Sequence, residues 1–576
     1  MKAILRSPSG SWFHFSNPQQ IIETRQIDNV LACLNRIESI VNREGSIAIG
    51  FVSYEAAPGF DSSLYVHSRC ELPLVWFALF DSNDEWIDLP EPESTESVQL
   101  NWKPEISDGE YSRAIESIKN RLEEGATYQV NFTYRLRTPF SKDPYPFFYQ
   151  LHLNQNPDYA AFIQTDRFSV CSASPELFFS LDGQILTSRP MKGTSPRGLT
   201  LQQDEAVSKA LRNSRKAQAE NVMIVDMIRN DMGRIATPGS VKVTELFNLE
   251  KYPTVWQLTS TVQSKTDVSI AEIFQALFPC ASITGAPKSQ TMIIIKDLEP
   301  SPRSVYTGAI GMIAPGRKAR FNVSIRTVWI DHQTKTATFG TGGGIVWDSK
   351  TSHELKETLD KAAILHQSWS EFRLLETLLW TPEGGCFLLD RHLNRMRDSA
   401  EYFNFLWDEG KLRDEIQSAS RGFSAEPQRV RLLLDKTGDL KIENIPIQPS
   451  DNPRPIRLQR CPYPVQSQNP FLYHKTTNRT VYEDARSAAK DCDDVILWNE
   501  RGEITETSRS NLAVKIDHKM CTPPVACGLL KGTYRDYLLD LERITEKEIL
   551  VSDIDDNTEI FVMNSVRKLQ RAILIG

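Results

Sequence analysis

A change of pattern near residues 366–371 is the sequence feature that most constrains how this chain can fold. A helical pattern over residues 352–365 gives way to His366-Gln367-Ser368-Trp369-Ser370-Glu371, and a new apolar rhythm begins at Phe372. The chain has 576 residues, more than one hydrophobic core usually supports. We therefore expect two domains, residues 1–366 and residues 372–576. The segment 82–104, rich in Asp, Glu, Pro and Ser, predicts a surface loop rather than a further domain boundary.

Charge and cysteine usage narrow the class of function. The 66 basic and 74 acidic residues give a net charge of -8, which argues against a nucleic-acid-binding surface and favours small-molecule partners. The 9 cysteines include no C-x-x-C pair, so we expect neither a zinc site nor a disulfide framework. No apolar stretch is long enough for a signal peptide or a membrane span. We expect a soluble, cytoplasmic protein.

A helix and then a strand are predicted directly after the 82–104 segment. The helix has Asp108 as its candidate cap and Gly125 as its end, and its apolar residues at helical spacing are Tyr111, Ile115, Ile118 and Leu122. From residue 128 to residue 136 apolar and polar residues alternate, which predicts a strand with Gln129 on its polar face.

Lys192, a lysine between a proline and a glycine, is the first candidate for chemistry. It stands in Arg189-Pro190-Met191-Lys192-Gly193-Thr194, where the proline fixes the approach and the glycine allows the backbone close to a ligand. A lone lysine of this kind is more often a solvated surface charge. Other motifs favour a site here, namely Ser172-Ala173-Ser174-Pro175-Glu176, Ala219-Glu220-Asn221, Ser282-Ile283-Thr284-Gly285-Ala286-Pro287-Lys288 and Gly340-Thr341-Gly342-Gly343-Gly344.

Carboxylates on two predicted helices form a candidate metal site. Glu354, Glu357 and Lys361 fall at i, i+3 and i+7 and share one helix face. The alternative is a solvated face with an internal ion pair. Glu220 is a lone carboxylate in an otherwise apolar helical run, and a buried carboxylate needs a partner. Carboxylates from separate helices, completed by water and a substrate carboxylate, suit magnesium.

Taken together, these motifs resemble the chorismate-utilising enzymes over about residues 40–366, and Lys192 resembles the form found in component I of aminodeoxychorismate synthases. The resemblance implies an α+β or α/β domain with a β-sandwich and helices, similar to anthranilate synthase component I. It implies magnesium ligands at Glu220 and Glu357, with Glu354 close to the metal. The substrate-binding residues that we expect on this basis are Gln129, Thr284, Gly285, Tyr306, Arg326, Gly342, Gly343, Gly344 and Lys361.

The implied reaction replaces the C4 hydroxyl of chorismate by an amino group. Hydroxide leaves only when it is protonated, and Glu176 is the candidate acid. The resemblance implies that Lys192 adds at C2 as the hydroxyl departs, and that ammonia then attacks C4 and expels the lysine. Gln129 matches a position where water-using relatives carry a lysine base. Gln257 departs from the family pattern, because many relatives have histidine there.

Ammonia must come from another protein, because no glutaminase motif is visible. Cys386 lacks the strand, elbow and helix setting of such enzymes, and we interpret it as a buried structural cysteine. A separate glutamine amidotransferase subunit is therefore an expected partner.

The C-terminal part carries a second candidate lysine, Lys475, within Phe471-Leu472-Tyr473-His474-Lys475-Thr476-Thr477. By itself it would be an ordinary charge. The later segment 502–511 supplies Glu506 followed by small hydroxyl residues, a pairing that suits a pyridinium nitrogen and a phosphate. The turn Gly528-Leu529-Leu530-Lys531-Gly532-Thr533 offers a second phosphate-binding element, and Arg395 completes the set.

These C-terminal segments resemble the class IV pyridoxal phosphate enzymes, with a fold like that of D-amino acid aminotransferase. The histidine-lysine-threonine run resembles aminodeoxychorismate lyase in fused two-domain proteins. The resemblance implies that Lys475 bonds to the cofactor and that Glu506 faces its pyridine nitrogen. It places the phosphate on Arg395 and the amides of Ser510 and Thr533, and it adds Asn511 and Gly532 to the cofactor-binding residues. The first domain would then make 4-amino-4-deoxychorismate, from which the second would expel pyruvate to leave 4-aminobenzoate, a folate precursor.

Two alternatives stay open from the sequence. One is an anthranilate-type synthase fused to a class IV aminotransferase, against which Lys192 and the lyase-like motif argue. The other makes the C-terminal part a non-catalytic dimerisation module, against which Lys475 and Glu506 argue, since cofactor chemistry requires both groups. We expect that any homodimer forms through this C-terminal domain.

Overall fold

A computed structural model describes residues 1–81, 83–93, 100–366, 371–447, 454–489, 491–555 and 557–575. The chain divides into two compact units, the first comprising Met1–Arg197 and Ser208–Trp369, the second Gly198–Val207 and Ser370–Gly576. Residues 367–370 of the expected domain boundary lie outside the described part, and the boundary stays a prediction.

The helices, in chain order, are α1 (Val30–Glu44), α2 (Asp108–Glu123), α3 (Pro144–Gln155), α4 (Leu201–Asn213), α5 (Arg215–Gly233), α6 (Ile270–Leu277), α7 (Lys288–Leu298), α8 (Thr351–Ala362), α9 (Leu389–Phe403), α10 (Glu409–Ser420), α11 (Thr480–Ala488) and α12 (Thr533–Asp540).

The strands of the first unit are β1 (Lys2–Arg6), β2 (Trp12–Ser16), β3 (Gln20–Thr24), β4 (Ile47–Val52), β5 (Val75–Phe80), β6 (Asp84–Trp86), β7 (Lys103–Pro104), β8 (Gln129–Pro139), β9 (Ala161–Gln164), β10 (Phe168–Ser172), β11 (Leu177–Asp182), β12 (Ile185–Arg189), β13 (Met191–Pro196), β14 (Lys242–Lys251), β15 (Val255–Lys265), β16 (Gly285–Ala286), β17 (Ala309–Ala314), β18 (Lys318–Val323), β19 (Thr327–Asp331) and β20 (Thr336–Ile345).

These strands form two 10-stranded sheets. The first has the order β16-β8-β20-β19-β10-β9-β1-β2-β6, with β7 beside β8, and the second has the order β13-β15-β12-β11-β18-β17-β4-β5-β3, with β14 beside β15. Apolar residues such as Phe51, Trp76 and Val170 fill the space between the sheets. Helices α1, α5 and α6 pack against the second sheet, and α2, α3, α7 and α8 pack against the first. The predicted sandwich with helices is confirmed.

The strands of the second unit are β21 (Leu374–Thr381), β22 (Gly385–Cys386), β23 (Gln428–Leu434), β24 (Leu440–Pro446), β25 (Ile456–Arg460), β26 (Asp494–Trp498), β27 (Ile504–Thr507), β28 (Asn511–Ile516), β29 (Lys519–Thr522), β30 (Thr545–Glu546), β31 (Ile560–Asn564) and β32 (Lys568–Leu574). A 4-stranded sheet, β22-β21-β23-β24, packs with α9 and α10. An 8-stranded sheet has the order β27-β26-β25-β32-β31-β28-β29-β30.

The three elements that local patterns predicted, a helix near 108–125, a strand over 128–136 and a helix over 352–365, are present as α2, β8 and α8, and the structure adds three corrections. The cap of α2 is Ser107 rather than Asp108, because Ser107 and Glu110 bond reciprocally to each other's backbone amides in a capping box. The segment 82–104 is not loop throughout, since β6 and β7 lie in it and pair with β2 and β8. Residues 82 and 94–99 of that segment lie outside the described part.

The third correction concerns strand β8, where Gln129 is fully buried although it belongs to the polar set, while Tyr128 before it is 70% exposed. Other parts of the first unit cover the polar face of this strand. Polar side chains on that face, such as Gln129, are therefore buried rather than exposed to water.

Candidate functional site

Strands β13 and β20 and helices α5 and α8 contribute to one cavity in the first unit. Residues from every N-terminal motif line it, among them Glu176, Lys192, Glu220, Arg326 and Gly344. The structure therefore brings together chemical groups that lie more than a hundred residues apart in sequence.

The backbone of Lys192 is held by α5, and its amine lies next to Gly344 of β20. Asn221 of α5 donates from its side-chain amide to the backbone oxygens of Lys192 and Leu258, at 3.3 Å each, and accepts from the Ser260 hydroxyl at 2.6 Å. A β-carbon built on Gly344 would lie 2.6 Å from Lys192 Nζ. A larger residue at this point of β20 would therefore displace the amine from its present position.

Gln129 lies beside this amine. Its amide nitrogen would be 3.1 Å from the same Gly344 β-carbon. Neither its amide nitrogen nor its amide oxygen has a hydrogen-bond partner among the described residues, although the side chain is fully buried. Because an unpaired buried amide is costly, this arrangement suits a ligand that completes the bonds.

Glu176 precedes β11 and is 3% exposed. Burial raises the pKa of its carboxyl to about 7, and the Ser282 hydroxyl, which donates to Oε1 at 2.7 Å, opposes that rise. A carboxyl with this pKa is partly protonated near neutrality and can donate a proton. Ser282, which the sequence analysis did not single out for a role, is 106 residues away in the chain.

The glycines of β20 allow close packing around the cavity. A β-carbon on Gly340 would lie 2.2 Å from Cδ1 of Tyr306, so the tyrosine ring packs directly on the strand. The Gly342 oxygen accepts from Lys361 Nζ at 2.9 Å. A β-carbon on Gly343 would lie 3.6 Å from Glu354 Oε2 and 3.7 Å from Glu357 Oε1.

Two carboxylates of α8 therefore converge over β20. The Lys361 ammonium, 2.8 Å from Glu357 Oε1, lowers the pKa of Glu357. Burial raises the pKa of Glu354, and the charge of Glu357 adds to this effect. Glu220 lines the same cavity from α5, with Lys216 Nζ at 3.9 Å.

No three acidic, histidine or cysteine side chains of the described part lie close enough together to hold a metal ion alone. The converging pair, Glu354 and Glu357, still offers oxygen ligands of the kind that magnesium takes together with water and substrate oxygens. The donor set thus fits a magnesium site that substrate completes.

Arg326 lies at the same cavity with a left-handed backbone, φ 50°. Burial lowers the pKa of its guanidinium to about 10, and Tyr252 opposes this effect. A guanidinium in such a position is suited to a carboxylate of the substrate.

Thr284 and Gly285 are not among the residues that line the cavity. The Thr284 hydroxyl donates to the Cys280 backbone oxygen at 3.1 Å, and Gly285 pairs with Val130 of β8. Ser282 and Ile283 line the cavity instead.

Gln257 lines this cavity and accepts from the Thr194 hydroxyl at 3.1 Å. It therefore has a partner within the wall of the site.

A buried ionic network supports the cavity wall, and sequence reasoning missed it. Glu299 pairs with Arg135 at 2.9 Å and Arg303 at 2.6 Å, and all three side chains are 1% exposed. Arg303 also donates to the backbone oxygens of Asn131 and Ile283, at 2.7 and 2.9 Å. It thereby joins two segments that line the cavity.

A second cavity lies in the second unit and contains Lys475, Glu506, Arg395 and the start of α12. Burial lowers the pKa of the Lys475 amine to about 8, and the nearby Arg395 charge adds to the effect. About a tenth of an amine with this pKa is neutral at pH 7, far more than of an ordinary lysine, and nucleophilic addition requires the neutral form.

Glu506 is fixed by three donors. It accepts from the Tyr482 hydroxyl at 2.8 Å, the Asn511 side-chain amide at 3.0 Å and the Leu530 backbone amide at 3.1 Å. Burial raises its pKa to about 7, against the effect of the bonds from Tyr482 and Leu530. Tyr482 was not predicted, and nothing in its local sequence signals this contact.

The predicted phosphate-binding residues lie at the same cavity. Gly532 caps α12, whose first residue is Thr533, and a β-carbon on Gly532 would lie 1.8 Å from Asn511 Oδ1. Ser510 accepts from Asn564 at 2.9 Å. Arg395 joins them from α9.

The structure corrects the expectation that Cys386 is a buried cysteine. It is half-buried in β22 rather than buried, although burial raises the pKa of its thiol to about 11.

No helix of the described part is both long and apolar enough to cross a membrane.

Comparison with known proteins gives the following matches. Residues 3–367 match the family of chorismate binding enzymes, and residues 373–575 match the class IV amino-transferases. Aminodeoxychorismate synthase component 1 of Klebsiella aerogenes is 38% identical over 316 residues, covering 54% of this chain and 69% of the relative. The protein of the same name from Bacillus subtilis is 35% identical over 362 residues, covering 56% of this chain and 76% of the relative. Anthranilate synthase component I from Streptococcus pneumoniae shares the fold, with a TM-score of 0.54 at 23% identity over 64% of this chain and 92% of that one.

Proposed function

The chain belongs to the chorismate binding enzyme family, and on that premise we propose that it makes 4-aminobenzoate in two steps. The first unit is an aminodeoxychorismate synthase component 1 that turns chorismate and ammonia into 4-amino-4-deoxychorismate and water. The second unit is an aminodeoxychorismate lyase that releases pyruvate. The observation that carries the proposal is Lys192, whose amine lies against Gly344 in the cavity that also contains Glu176 and Arg326.

In the first reaction, Arg326 binds a carboxylate of chorismate and Tyr306 supports the ring. Lys192 Nζ adds at C2 while the C4 hydroxyl takes a proton from Glu176 and leaves as water. Ammonia then forms the bond to C4, and the C2 bond to Lys192 breaks. The pKa of Glu176, about 7, supports its role as the acid.

Glu357 and Glu354, with Glu220 from α5, would hold magnesium. The metal would bind a substrate carboxylate and balance its charge. The convergence of Glu354 and Glu357 on Gly343 supports this assignment, and Glu220 lines the same cavity.

Ammonia comes from a separate glutamine amidotransferase subunit. Gln129, rather than a basic side chain, lies beside Lys192, so this part of the cavity does not activate water to compete with ammonia.

In the second reaction, pyridoxal phosphate is the cofactor that the class IV family implies. When bound, it supplies an electron sink for proton removal and elimination. Lys475 Nζ takes the proton from C4 of the aminated intermediate. Glu506 would hold the cofactor nitrogen, and Arg395 with the Thr533 amide would bind the phosphate. Aromatisation to 4-aminobenzoate accompanies loss of pyruvate.

Incubation of the protein with chorismate, magnesium, pyridoxal phosphate and an ammonium salt tests the proposal. We expect 4-aminobenzoate and pyruvate in equal amounts. Formation of 2-aminobenzoate as the main product would instead establish an anthranilate-type synthase.

The described cysteines are all free, which supports a reducing, cytoplasmic location. We also propose a homodimer through the second unit. Sedimentation of the full chain tests it, and a monomer at micromolar concentration would exclude it.

A further inference from the structure

A buried carboxylate and a buried histidine lie behind the wall of the second cavity. Glu376 of β21 accepts from Arg395 Nε at 2.8 Å and from Arg395 Nη2 at 2.6 Å. It also accepts from His392 Nδ1 at 2.6 Å. The side chains of Glu376 and His392 are each 1% exposed, and neither residue is among those lining the cavity.

Electrostatics fixes the protons of this cluster. Burial opposes ionisation of Glu376, but the charge of Arg395 and the hydrogen bonds from Arg395 and His392 outweigh it and lower the pKa of Glu376 to about 2, so it is ionised. Burial lowers the pKa of His392, more than Glu376 raises it. A neutral His392 that donates from Nδ1 to Glu376 has an acceptor at Nε2. The Thr533 hydroxyl, 3.2 Å away, is then the donor to Nε2.

This assignment determines what Arg395 and Thr533 can offer to a ligand. Arg395 uses two donors on Glu376 and one on the Lys531 backbone oxygen at 2.9 Å, which leaves two of its five for the cavity. The Thr533 hydroxyl points its proton inward, so its backbone amide at the start of α12 is what remains for an anion.

We propose that Glu376 and His392 are positioning residues, which hold Arg395 and Thr533 in the geometry that binds the phosphate of the cofactor. Bidentate pairing fixes the plane of a guanidinium whose free side chain has many rotamers. The proposal rests on the cofactor assignment above, and it goes further because it separates phosphate recognition from recognition of the ring.

Titration of the cofactor-free full chain with pyridoxal phosphate and with pyridoxal, which lacks the phosphate, tests this inference. In Glu376→Gln we expect the Kd for pyridoxal phosphate to rise by at least about tenfold, and the Kd for pyridoxal to stay within about twofold. The matched control is Glu409→Gln, which removes an exposed Glu409–Arg413 pair on α10. It should leave both constants unchanged.

An unchanged or tighter affinity for pyridoxal phosphate in Glu376→Gln would overturn the proposal. An equal rise in the Kd for both ligands would also overturn it, because that result indicates a general loss of packing. In an Arg395→Lys background the additional effect of Glu376→Gln should vanish, and a full additional effect there would contradict action through Arg395.

If Glu376→Gln does not fold, His392→Gln is the test instead. This variant must raise the Kd for pyridoxal phosphate and leave the Kd for pyridoxal unchanged. If the unsubstituted protein binds neither ligand, the cofactor assignment and this proposal both fail. If the unsubstituted protein binds pyridoxal phosphate and only the variants depart from expectation, this proposal alone fails.

Discussion

Ser282→Ala should move the pH dependence of the first reaction upward. The Ser282 hydroxyl donates to Glu176 Oε1 at 2.7 Å within the buried site. A hydrogen bond to a charged group contributes about 1.5–3 kcal/mol, and one pKa unit corresponds to about 1.4 kcal/mol. Because the bond favours the carboxylate, its loss raises the pKa of Glu176 by about one to two units above its value of about 7.

The sign follows from the role of Glu176 as an acid. Activity requires the protonated carboxyl, so it is present below the pKa and lost above it. The alkaline limb of kcat/KM for chorismate should therefore shift from near pH 7 to about pH 8–9.

The assay follows chorismate consumption from pH 6 to pH 10, with total ammonium adjusted so that free ammonia is constant. The matched control is Ser188→Ala, which removes a buried serine hydroxyl that donates to the Phe178 backbone oxygen at 2.7 Å. An unshifted or downward-shifted limb in Ser282→Ala, or the same shift in Ser188→Ala, would refute the reasoning.

Four further outcomes are expected. Lys192→Ala should abolish 4-amino-4-deoxychorismate formation with ammonia, since the wall beside Gly344 then has no amine to add at C2; near-normal turnover would contradict the nucleophile assignment. Glu357→Gln should raise the magnesium concentration for half-maximal activity, because a charged oxygen ligand is lost; an unchanged titration would make Glu357 only the partner of an ion pair. Lys475→Ala should leave chorismate consumption intact while 4-aminobenzoate disappears and the aminated intermediate accumulates in chromatography; continued product formation would exclude Lys475. Gly340→Ala should displace Tyr306, raise the KM for chorismate and reduce the free energy of unfolding by about 1–3 kcal/mol, because the new methyl overlaps the ring; thermal unfolding and kinetics at unchanged values would show that the ring moves freely.

Local sequence alone predicted the type and approximate position of three elements, α2, β8 and α8. Helix α2 follows from apolar residues at helical spacing, and strand β8 follows from alternation, because both patterns depend on neighbours a few residues apart. The motifs around Lys192 and Lys475 likewise predicted reactive lysines, and each of these lysines lines a cavity. The cap at Ser107 was missed by one residue, within the usual uncertainty of helix ends.

Only the tertiary structure decided which groups share a site and what surrounds them. Gln129 belongs to a polar set that alternation places on one face, yet it is fully buried without a described partner. Ser282 acts on Glu176 across 106 residues, and His392 reaches Thr533 across 141. The pKa of Glu176, about 7, depends on burial, which is created only when sheets and helices pack. A sequence pattern reports spacing along the chain, whereas charge, proton positions and ligand geometry depend on distances through space.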